Sequence, residues 1–88
     1  MTIQEKVKSM HLRMAEMRDN ASSERKARCF GLLHDAVVHT GPRINDLNND
    51  SLIGFIELAA RTVSEPDMND RMLRDKLIAM GFNTAPVN

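Results

Sequence analysis

Ser23–Pro42, SERKARCFGLLHDAVVHTGP, contains one complete helix with its start and its stop. Ser22 and Ser23 are small polar residues suited to capping, and Glu24 falls in the first turn. Ala27, Phe30, Leu33 and Val37 then recur at steps of three and four, which places them on one face. The run stops at Thr40-Gly41-Pro42, where Gly permits a left-handed cap and Pro cannot extend the helix. A helix over Ser23–His39 follows. Arg25, Lys26 and Arg28 stand in its opening turns, at the end that already carries partial positive charge. Each exposed cation there costs about 0.3–1 kcal/mol, so something must offset the placement.

Working outward, Arg43–Asp50 is an Asn/Asp-rich stretch that reads as a polar loop. Asp50 or Ser51 then caps a third helix to about Ser64, with Leu52, Phe55, Ile56, Ala59, Ala60 and Val63 as a broad apolar face. The helices on either side of the loop are expected to pair as an antiparallel hairpin over about 22–64. Upstream, Ile3, Val7, Met10, Met14 and Met17 recur at alternating steps of four and three along a helix from Thr2 to Asp19. This seam is either the core of one subunit or a contact between subunits. Downstream, Ser64-Glu65-Pro66-Asp67 resembles a capping box that opens a fourth helix over about 65–81, closed by Gly81. At the head of the tail 82–88, Phe82 is expected to fold back in a Schellman-type contact, and residues 83–88 to fray. The expectation is one all-α domain over 1–88: a small helical hairpin with short N-terminal and C-terminal helices, oligomeric.

Composition narrows the function. The 88 residues include seven Met and three Phe but no Trp or Tyr, so the core must come from aliphatic residues and Met. So small a core favours oligomerisation as a source of further buried area. A single Cys excludes an internal disulfide and multi-Cys zinc sites. No apolar run reaches membrane-spanning length and the first ten residues are too charged for a signal peptide, so a cytoplasmic location is expected. Net charge is zero, which argues against a long nucleic acid as partner. The charge is nevertheless split: residues 1–43 hold eight Lys/Arg against five Asp/Glu, and 44–88 hold four against seven.

No catalytic set emerges. Cys29 and His34 are five residues apart on one helix, off a shared face, and Cys29 reads as a buried apolar residue. His11, His34 and His39 lack metal-ligand spacing, and there is no Gly-rich phosphate loop. An enzyme, a metal and a cofactor are not expected. Glu24–Arg28, Glu57–Arg61, Asp67–Arg71 and Asp70–Arg74 have the spacing of surface ion pairs. Arg25 and Lys26 have no such partner. They either snorkel along the surface or, beside free helical N–H groups, hold a small anion such as a phosphate.

Phe55–Asp67, FIELAARTVSEPD, resembles the closing helix of a phage family of small helical-hairpin proteins, the anti-CBASS cyclic-nucleotide sponges, which are related to the anti-Thoeris sponges. The shared features are Arg61-Thr62-Val63, the Pro66 that follows and the chain's size. Two features depart: His11 stands where the family has an aromatic residue, and a fourth helix follows Pro66. The resemblance implies a homo-oligomer that binds cyclic oligonucleotides such as cyclic GMP-AMP in inter-subunit pockets, without cleaving them, in the host cytoplasm. It further implies that Lys26, with Arg28 and Arg25 close by, grips phosphates, that His11 contacts a base, and that Arg61 serves a second site. The competing expectation is a small helical protein-interaction module that inhibits a host or CRISPR complex, with the Met seam and the split charge as its face. A helical DNA-binding regulator is a weaker third, set back by neutral charge.

Overall fold

In the computed structural model, which describes residues 2–84, four α-helices and one 3-10 helix follow one another: α1 (Ile3–Asp19), α2 (Glu24–Thr40), the 3-10 helix (Gly41–Asp46), α3 (Asn49–Ser64) and α4 (Asp70–Ala79). No strand occurs among the described residues. Each α-helix opens on a side-chain cap. Thr2, Ser23, Asn48 and Asn69 accept from the backbone N–H three residues on, at 2.8–3.2 Å.

α2 is the central element. It buries Cys29, Leu32, Leu33, Ala36 and Val37, a set too wide for one neighbour to cover, and α1, α3 and α4 all pack against it. α1 runs antiparallel to α2: His11 meets His34, and Arg18, further along α1, lies against Gly31, which comes earlier in α2. This is the most extensive helix pairing in the molecule. The expected hairpin of the second and third helices is therefore not the dominant pair. The connection from α1 to α2 is a tight four-residue turn, which leaves the two 17-residue helices little choice but to lie side by side. The expected polar loop after α2 is instead the 3-10 helix. It starts with Pro42 in its first turn and drives Ile44 fully into the core.

Part of the Met seam belongs to the subunit's own core. Val7 and Met14 are buried, while Ile3, Met10 and Met17 pack against the cluster from its edge. α3 starts at Asn49, slightly earlier than the Asp50 or Ser51 cap anticipated. α4 starts later than anticipated: Ser64 ends α3, and the Ser64-Glu65-Pro66-Asp67 capping box does not form. A turn closed by Met68 N–H to the Glu65 carbonyl, 3.2 Å, carries Met68 to 1% exposure. Burying that thioether decides the boundary, and Asn69 caps the helix that follows.

α4 ends in a Schellman motif. Phe82 N–H donates to the Leu77 carbonyl and Gly81 N–H to that of Ile78, both at 3.0 Å, with Gly81 at φ 97°. Phe82 is buried and stacks on Phe55, ring centroids 5.1 Å apart. Asn83 is anchored as well. Its N–H donates to Thr40 Oγ1, and its side-chain oxygen accepts from Arg43 at 2.7 Å. The fraying expected from residue 83 thus does not begin there, and residues 85–88 lie outside the described residues. Of the four expected ion pairs only Glu24–Arg28 forms, at 2.6 Å. Arg61 turns from Glu57 to Glu65, and neither Asp67–Arg71 nor Asp70–Arg74 closes among the described residues. Arg74 Nε is buried with no hydrogen-bond partner among the described residues.

Candidate functional site

Arg25 points away from the anion site assigned to it by sequence. Its guanidinium donates to the Met68 carbonyl at 2.7 Å and to the Thr62 carbonyl at 3.2 Å. Thr62 lies in the last turn of α3, whose carbonyls have no partner within the helix. A cation misplaced for its own helix is well placed for the end of the neighbouring one. Arg25 is thus not an unpaired cation. The sign of this role was available in the spacing: Cys29, four residues on, faces the core, so Arg25 sits on the same face at the core's rim.

The other candidates separate in space. Arg28 is exposed and tied to Glu24. Arg61 makes a two-point pair with Glu65, 2.9 and 3.1 Å, which holds the Glu65 carboxyl below the usual carboxylate range. His11 Nδ1 lies 2.6 Å from the Lys8 carbonyl, so that nitrogen carries a proton and donates. Its ring is 6.0 Å from that of His34, two helical turns along α2 from Lys26. His11 and Lys26 therefore share no pocket within one subunit. Cys29 is fully buried, with Sγ 3.8 Å from the Met68 carbonyl, and burial pushes its thiol above the ordinary value while Arg25 opposes the shift. No group of His, Cys, Asp and Glu among the described residues is arranged to hold a metal ion. No helix among them is long and apolar enough to cross a membrane.

Lys26 is left without a side-chain hydrogen bond or ion pair among the described residues, and it leads to the feature that sequence reasoning missed. α1 and α3 do not close completely on one another. Between them lies a groove of about 360 Å³, floored by Met14 and Ala59 and flanked by Met10, Met17, Ile56 and Val63. Past Met17 and Val63 it continues into a hollow of about 240 Å³ that ends at Phe30, Ser22 and Lys26. Val63, which lines both stretches, remains half-exposed.

The groove has a distinct rim. Lys6 and Arg13 line one edge and Lys26 the far end, and no Asp or Glu lines either stretch. Like Lys26, Lys6 and Arg13 have no ion-pair partner among the described residues. The Met-rich wall is suited to repacking around a visitor, because the unbranched thioether adapts its shape at small cost. The signal in the sequence was Ile53, Ile56, Ala60 and Val63, an apolar stripe beside the buried face of α3, making that helix apolar over more of its circumference than one core contact needs. No protein-family model matches the chain, and neither a curated protein nor a solved structure matches it.

Proposed function

We propose that this chain is a non-catalytic protein-interaction module that takes a partner segment in the groove between α1 and α3. One observation supports this above the rest: an open apolar groove runs between two helices, and the cations on its edge have no partner among the described residues. Helix-in-groove recognition uses this combination of apolar floor and polar rim. Inhibition of a host or CRISPR complex is the specific form such a module takes if it is phage-encoded. Selection from an unbiased library of displayed helical peptides tests the reading. Selected peptides should lose binding to Val63→Asp and keep it with Leu12→Asp, since Leu12 is exposed on the outer face of α1. Peptides that bind both variants equally would refute it.

Sequestration of a cyclic oligonucleotide between protomers is the second reading. It is favoured by Lys26, a cation at the mouth of α2 without a side-chain partner among the described residues. Against it stands the structural use of Arg25, whose guanidinium is taken up by two backbone carbonyls. A thermal-shift screen against cyclic di- and trinucleotides separates the two. A ligand present at a hundred times its dissociation constant adds about 2.7 kcal/mol of stability per site. Such a shift, abolished in Lys26→Ala, would favour the sponge.

A further inference from the structure

We infer that the occupant of the α1–α3 groove is an acidic amphipathic helix, with carboxylates one heptad apart on the edge that faces α1. This rests on the interaction-module reading and adds the chemistry of the partner.

Length comes first. From Lys6 to the turn at Asn20 and Ala21 the groove follows nearly all of α1, a rise of about 21 Å, enough for about four turns of a partner helix. An extended strand is a poorer fit. The walls are helix surfaces with their backbone groups already paired, so they offer no ladder of free N–H and C=O groups. A helix brings its own hydrogen bonds and needs from the groove only apolar contact and rim charge.

Charge comes second. Lys6 and Arg13 are seven residues apart on the same side of α1, a separation of about 10.5 Å along the axis. Two carboxylates seven residues apart on a partner helix lying along α1 match that interval. Lys26, at the end of the groove, favours a third acid at the partner's nearer end. Without any carboxylate among the lining residues, a neutral or basic partner would leave three like charges around a desolvated strip. Between the charges, Met10, Met17, Ile56 and Val63 offer a surface for two or three large apolar side chains on one face of the partner. The partner pattern is thus apolar at helical spacing with acids along one flank.

The test uses two labelled peptides of about sixteen residues, identical in their apolar face and helicity. One carries Glu at the two rim positions and the other carries Lys there. Fluorescence anisotropy with the wild-type chain should show the Glu peptide binding about tenfold tighter or more, with the margin shrinking as salt is raised. The double variant Lys6→Glu/Arg13→Glu should reverse the preference and recover binding of the Lys peptide. Both positions are solvent-exposed, so far-UV circular dichroism should match wild type. Equal binding of the two peptides, or a double variant with unchanged preference, overturns the inference. So does self-association of the wild-type chain that the double variant abolishes, because the groove then belongs to a second copy. If library selection yields groove binders without acids, the interaction module stands and only this inference falls.

Discussion

Arg25 and Lys26 are adjacent, equally charged and placed in the same helical turn, yet their side chains have opposite surroundings. Arg25→Ala removes two charge-assisted bonds to backbone carbonyls and should destabilise the fold by about 1.5–3 kcal/mol. Lys26→Ala should stay within about 0.5 kcal/mol of wild type. Urea melts of the two variants decide the matter, and equal effects would contradict the bridging role. Arg25→Lys should recover only part of the loss, since a point charge cannot span two carbonyls in the way a planar fork does. Beside Arg25, Cys29 was legible as a buried apolar residue because it adjoins Phe30 on a helix whose face was already evident. Cys29→Ser should lower stability by about 0.5–2 kcal/mol. In the folded protein its thiol should react with a disulfide reagent only as fast as the chain opens, and a fast reaction would show that the site is not sealed.

Helix ends were read with uneven success, for a physical reason. Gly81 announced itself because only its backbone freedom suits the left-handed cap, and the cap is there. Gly81→Ala should cost about 1–2 kcal/mol, and more if Leu47 cannot give way, since a Cβ would sit 3.0 Å from its Cδ2. A melting temperature equal to wild type would argue against the strain. The start of α4 was misplaced because Ser64 and Pro66 carry strong local signals, whereas the deciding term is the burial of Met68 against residues remote in sequence. The Arg61–Glu65 pair at the end of α3 was missed for a simpler reason, as Glu57 lies at an equal distance on the other side. Arg61 lowers the Glu65 pKa, so the pair's stabilisation is present above the ordinary carboxylate range and is lost as pH falls through the lowered value. The stability difference between wild type and Glu65→Gln should therefore close in acid, and a difference that persists in strong acid would disprove the linkage.

At the scale of the molecule, four helices and their approximate spans followed from periodicity and caps, because both are local. Which helix covers which face of α2 did not, because apolar stripes carry no address. The short turn after Asp19 and the buried Ile44 decide the pairing. α2 serves three neighbours, so Leu33→Ala should cost about 2–5 kcal/mol and lower all helical signal in one transition. Separate transitions would mean that α1 or α4 holds itself together. Arg25 bonds the chain at Met68, and Thr40 bonds it at Asn83; both contacts join residues 43 positions apart. The equal offsets mean that α4 runs parallel to α2, fastened before its first turn and after its last. A ten-residue helix is too short to persist alone. Clasped at both ends, it has no free end from which to unravel. Amide hydrogens of Leu73 and Leu77 should therefore exchange with solvent together, as one unit, and Arg25→Ala should speed both by the same factor.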